Sequence, residues 1–167
     1  MIVAPIDYKP LIDRFVERVT SALGGELVSV VLYGSVARDE AGPRSDVDVL
    51  IVLEDPPASY RARLDPFLPI LEQMRDEPAW HSMEATGIHP VLSTLILSRS
   101  EADQNRLIYL DMIEDAQILF DRDGFFAARL SKLAQRLEEL GARKVRQNGG
   151  WYWDLKPGAA IGETVIL

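Results

Sequence analysis

The chain has 167 residues, a mass of 18.7 kDa and a net charge of −8, from 18 basic and 26 acidic side chains. That length suits one domain whose core takes up roughly 70% of the unfolded surface, and 47% hydrophobic with 26% charged residues excludes a disordered tail. The acidic balance argues against non-specific nucleic-acid binding, and the absence of cysteine excludes disulfides, thiolate nucleophiles and Cys-type metal sites.

Asp7 is placed to cap a helix over residues 10–23, whose apolar positions Leu11, Ile12, Phe15, Val16, Val19 and Leu23 follow a 3.6-residue period. Gly24-Gly25 ends it. Residues 26–33 form a β-branched apolar run and read as a buried strand. A short polar segment, 34–44, leads to a second strand over 46–53. Residues 58–80 read as helix broken by Pro66, Pro69 and Pro78, and 91–97 as a third strand. The second half starts with polar residues 98–106, then a short helix over 107–115 and a brief apolar piece, 117–120. After Gly124, Phe126, Leu130, Leu133, Leu137 and Leu140 make one helical seam, closed by Gly141. Segments 144–147 and 151–155 around Asn148-Gly149-Gly150 carry a hairpin signal. No repeat or linker divides the chain. The order predicts an α+β fold with a mixed sheet covered by helices, a core over about 7–98 and a helical and hairpin extension over about 99–167. The longest largely apolar runs, 28–33 and 49–53, are far below the ~18 residues of a membrane span, and residues 1–5 lack the pattern of a signal peptide. A cytoplasmic location is the expectation.

The chemistry concentrates in Tyr33-Gly34-Ser35-Val36-Ala37-Arg38 and Ser45-Asp46-Val47-Asp48-Val49. A strand that ends in Gly34-Ser35 lets backbone N–H groups approach a phosphate, and a helix starting there points its free N–H groups the same way. Asp46 and Asp48 stand two apart on a strand, so both carboxylates face one side. Two such acids in an apolar strand repel each other and lose hydration, a conflict that a divalent cation removes. Oxygen ligands of this kind suit Mg²⁺ carried by a nucleoside triphosphate.

At these residues the chain resembles the DNA polymerase β-like nucleotidyltransferases, and among them the small single-domain prokaryotic type. The signature, Gly-Ser followed by Asp-x-Asp on the next strand, covers residues 33–52, and a weaker likeness extends to about Ser98. The ending Trp151-Tyr152-Trp153-Asp154-Leu155-Lys156-Pro157 is similar to the tail of a subgroup of these proteins. The resemblance implies that Gly34, Ser35, Arg38 and Ser45 bind the nucleotide, and that Asp46 and Asp48 bind Mg²⁺ or Mn²⁺ and carry catalysis. It implies transfer of a nucleoside monophosphate from an NTP to an acceptor hydroxyl, a protein among the possible acceptors, with pyrophosphate released. Small members also pair with a helical toxin-type partner, so the alternative is a non-catalytic nucleotide-binding or antitoxin-like module. Transfer to an aminoglycoside is a third option, but no acceptor-binding region for it is evident.

Two departures stand out. Asp39-Glu40 follows Arg38 where a glycine is common. The third strand, His89-Pro90-Val91-Leu92-Ser93-Thr94-Leu95-Ile96-Leu97, holds no third carboxylate; Ser93 and Thr94 are its nearest polar groups, and Glu84 and Asp154 are the acids that would have to reach in. Elsewhere, His89 reads as a surface or capping residue in preference to a contact with metal-bound phosphates. Arg143, Lys144 and Arg146 bind phosphate or an acidic partner, or line a solvated strand face. Trp151, Tyr152 and Trp153 stack on a base or pack on the core. Asp111, Glu114 and Asp115 read as the polar side of an amphipathic helix.

Overall fold

In a computed structural model, which describes residues 6–147, 150–160 and 162–167, helix α1 spans Lys9–Leu23. Asp7 stands two residues before it, and its Oδ1 accepts from the Lys9 N–H at 3.0 Å, so the expected capping acid acts slightly outside the helix. Leu11, Ile12, Phe15 and Val19 form the buried stripe. A 3₁₀ turn over Gly24–Glu26 takes the first residue of the expected strand, and β1 runs Leu27–Tyr33. Its continuous apolar sequence is explained by burial on both faces. The one polar side chain inside it, Ser29, donates to Asp121 Oδ1 at 2.7 Å. Next come a single helical turn, α2 (Gly34–Ala37), and strand β2 (Val47–Leu53).

The prolines divide the next helical stretch into α3 (Tyr60–Leu64), α4 (Leu68–Met74) and α5 (Pro78–Ala85), with Pro69 and Pro78 in first turns where no N–H is missed. Strand β3 (Leu92–Ser98) is followed by α6 (Arg99–Ala102), closed by a reciprocal capping box between Ser98 and Glu101. Helix α7 (Tyr109–Asp115) precedes β4 (Gln117–Asp121), so the brief apolar piece is a full strand. Asp121 accepts from the Phe126 and Ala127 N–H groups and so caps α8 (Phe125–Leu140). Strands β5 (Arg143–Gln147) and β6 (Gly150–Asp154) pair antiparallel as expected; the anticipated turn residues Asn148 and Gly149 lie outside the described residues.

The main sheet has the order β3-β2-β1-β4, with β2 and β3 parallel and the other pairs antiparallel, which is the expected mixed sheet. Helices α1, α4 and α5 cover one face through Phe15, Val19, Met74 and Met83, packed on Val47, Val49 and Ile51. Helices α7 and α8 cover the other through Tyr109, Met112, Phe126 and Leu133, packed on Leu50 and Val52. The β3 edge is protected: the Tyr60 hydroxyl donates to the Thr94 carbonyl at 3.0 Å and Arg63 Nη1 to that of Ile96 at 3.3 Å. Among the described residues no helix is long and apolar enough to cross a membrane.

Candidate active site

The site lies where β1 gives way to α2. Tyr33 ends β1 directly opposite Asp48 of β2, and Asp48 in turn stands beside Ser93 of β3. Partners in register project from the same face of a sheet, so Tyr33, Asp48 and Ser93 form one row on the α7–α8 side. Gly34 follows with φ +75°, a conformation natural to glycine. It is also pressed against the acid: a Cβ at Gly34 would lie 2.5 Å from Asp48 Oδ2. The Gly-Ser turn and the second aspartate are therefore in contact.

Asp46 sits one residue outside β2, exposed, whereas the sequence placed it within the strand. It remains close enough to Asp48 for its charge to act. The Asp48 carboxyl is raised above the usual aspartate value, first by burial and then by Asp46, while Ser93 and Arg38 pull it back. Burial and the Asp48 charge push the Tyr33 phenol up to about 12. The loop carrying Asp46 is fixed from two sides. The Tyr8 hydroxyl donates to the Gly42 carbonyl at 3.4 Å. Ser45 Oγ accepts from the Gly42 N–H at 2.9 Å, so this expected nucleotide-binding hydroxyl is engaged in closing its own turn.

Arg38 ends α2 and pairs with Glu40 at 2.8 Å. Between them, Asp39 has φ 57°, the left-handed region that the glycine common at this position adopts without strain. Arg38 also feels Asp111 and Asp115 of α7, and burial raises the Asp111 carboxyl. The polar side of α7, read from sequence as an ordinary solvated face, thus borders the Arg38 turn. Its i, i+3 and i+4 spacing was visible, but nothing in the sequence said which turn it would meet.

The other expected groups are dispersed. Glu84 faces His81 and His89 at 3.8 and 3.9 Å from α5, on the sheet face opposite Asp48. Asp154 pairs with Arg143 at 3.3 Å and Lys144 with Glu114 at 2.6 Å. Trp153 packs on the second core cluster, while Trp151 and Tyr152 are 41% and 49% exposed. Among the described residues no three His, Asp or Glu side chains converge to hold a metal, and the residue of β3 beside Asp48 is Ser93, not an acid.

The sequence pattern of the family described as "Nucleotidyltransferase domain" matches residues 12–147, which include most of α1, the Gly-Ser turn and both aspartates. The chain belongs to this nucleotidyltransferase family. It is 36% identical over 143 residues to the Methanocaldococcus jannaschii protein named "Putative protein adenylyltransferase MJ1305", spanning 84% of this chain and 90% of that one. Looser likenesses are seen to solved structures. One is a toxin–antitoxin complex with AMP-PNP (TM-score 0.48, 10% identity, 77% of this chain and 92% of that chain). Another is a tri-AMPylated Shewanella oneidensis HEPN toxin with its MNT antitoxin (TM-score 0.41, 10% identity, 78% and 92%). Likenesses this distant say nothing of shared chemistry.

Proposed function

We propose that this nucleotidyltransferase moves a nucleoside monophosphate from an NTP to an acceptor hydroxyl and releases pyrophosphate. The observation that carries this reading is the contact between Gly34 and the Asp48 carboxylate, with Asp46 within electrostatic reach. The name of the 36% identical relative favours ATP as donor and a protein as acceptor.

The residues fit a divalent cation. Asp48 is half-buried, and its carboxyl is raised first by burial and then by the neighbouring Asp46, so positive charge between the two acids would relieve their repulsion. Asp46 and Asp48 would hold Mg²⁺ or Mn²⁺, and the backbone N–H groups of the Gly34-Ser35 turn would hold the triphosphate. When bound, the metal supplies positive charge against the triphosphate and makes the acceptor hydroxyl more acidic. Arg38 adds fixed positive charge at the end of the same turn. The acceptor oxygen bonds to the α-phosphorus, the α–β anhydride bond breaks, and its electron pair leaves with pyrophosphate. Asp48, the acid in the Tyr33–Asp48–Ser93 row, would be committed to the metal, so the hydroxyl proton leaves to solvent. Ser93, a neutral neighbour, adds no charge. Slow turnover follows.

The same serine favours the second reading, a non-catalytic nucleotide-binding module that pairs with a helical toxin-type partner. The two readings separate on incubation with α-labelled NTPs, Mg²⁺ and a cell lysate. Label on an acceptor, abolished by Asp48→Asn, supports transfer; metal-dependent NTP binding with no labelled product supports the module.

A further inference from the structure

We propose that the cavity behind the Gly34-Ser35 turn binds an amine of single positive charge and compact apolar body, and that its charge strengthens nucleotide binding at the turn; the second half rests on the nucleotide-binding reading above. The cavity measures about 350 Å³, at the small end of the ~300–1,000 Å³ of ligand sites. It opens between the start of α1, the α2 turn and β4. Leu32 and Tyr33 point to opposite faces of β1: Tyr33 joins the reacting row, whereas Leu32 lines the cavity on the α1 side. Val36, directly after Ser35, lines it as well. The cavity is thus separate from the Asp46–Asp48 pair and shares the turn with it.

Two features identify the head of the ligand. Asp7, Asp13 and Asp39 line the cavity against the single base Lys9, and Lys9 pairs with Asp13. Among the described residues Asp7 and Asp39 have no ion-pair partner, so two negative charges remain and an anion is repelled. The second feature is Tyr8, which lines the cavity and is only 4% exposed. Its hydroxyl reaches the Gly42 carbonyl at 3.4 Å, longer than the ~2.5–3.0 Å of an ordinary O–H···O bond. Its oxygen accepts no hydrogen bond among the described residues. A buried oxygen with spare lone pairs beside two acids calls for an N–H donor. The remaining wall identifies the body: Ile12, Leu32, Val36 and Leu119 offer no polar side chain. A second ammonium placed there would lose its hydration without compensation, which excludes a polyamine or an aminoglycoside.

Coupling to the nucleotide follows from charge. The Tyr8 phenol is raised first by burial and then by the charge of Asp46, so a cation beside Tyr8 lies within the field of the reacting acids. Positive charge there favours a triphosphate arriving at the turn. By linkage, the nucleotide favours the amine by the same factor.

The test is calorimetry on the full chain with tryptamine, indole-3-ethanol, indole-3-acetate and spermidine, with and without Mg²⁺–ATP. Tryptamine should bind, indole-3-ethanol at least tenfold more weakly, and the other two not measurably. Asp39→Asn keeps the size of the side chain and tolerates the φ of 57°. It should weaken tryptamine at least fivefold and leave the Mg²⁺–ATP dissociation constant within twofold. Leu119→Trp, which fills the cavity, should abolish tryptamine binding. Saturating tryptamine should tighten Mg²⁺–ATP at least twofold, and Mg²⁺–ATP should tighten tryptamine equally. No tryptamine binding, equal affinity for indole-3-ethanol, or an affinity unmoved by Asp39→Asn overturns the amine site. Tryptamine binding that leaves the Mg²⁺–ATP constant unchanged overturns the coupling. An unmodified protein that binds tryptamine but no Mg²⁺–ATP overturns the nucleotide reading and leaves the amine site standing.

Discussion

Replacing Gly34 by alanine tests the contact on which the site depends. The substitution has two separable effects. At φ +75° an L-residue costs about 1–2 kcal/mol relative to glycine, which in a chain of this size lowers the melting temperature by roughly 2–8 °C. The new Cβ would also stand 2.5 Å from Asp48 Oδ2, well inside any ordinary contact, so the carboxylate must swing away from the turn. Gly87 gives the control: its φ is +80°, and a Cβ there meets nothing within 4 Å. Gly34→Ala and Gly87→Ala should therefore lose similar stability in a thermal melt. Only Gly34→Ala should weaken Mg²⁺-dependent ATP binding, by tenfold or more in calorimetry, equivalent to about 1.4 kcal/mol. Wild-type affinity in Gly34→Ala would refute the proposed pairing of turn and acid.

Ser93→Asp restores a third carboxylate beside Asp48; label transfer per minute should rise, whereas Thr94→Asp, pointing to the other face, should not raise it. Asp39→Gly removes the strain of φ 57° and should stabilise the fold by about 0.5–1 kcal/mol in urea titration, with nucleotide affinity unchanged. Glu101, held by Arg63 and by the Ser98 N–H, has its carboxyl lowered to about 2 from 4.5. A lowered acid contributes stability that is complete above pH 4.5 and lost as pH falls toward 2. Glu101→Gln should therefore flatten the pH dependence of the urea midpoint between pH 4.5 and 2.

The site was legible in the sequence wherever its chemistry is local. Gly34-Ser35 and Asp46-x-Asp48 are joined by one short connection, and their contact follows from two adjacent strands and a turn. What depended on pairing register was not legible: whether Ser93 or Thr94 stands beside Asp48 is decided by the parallel alignment of β2 with β3, which no local pattern encodes. The same holds for α7, whose acids look solvated until the helix is packed against the Arg38 turn. β4 was hidden because five residues without alternation give little periodic signal. The helix α6 was missed in the same way: residues 98–106 read only as polar, although the structure closes a Ser98–Glu101 capping box there.

Titration of the unmodified protein with ATP, in Mg²⁺ and in excess chelator, addresses the central claim most directly. Triphosphate charge beside Asp46 and Asp48 is strongly unfavourable unless a cation lies between them. Binding heat should appear with Mg²⁺ and disappear with chelator, and Asp48→Asn should remove that difference. Equal affinity in both conditions would contradict a metal-bridged triphosphate at the Gly34-Ser35 turn.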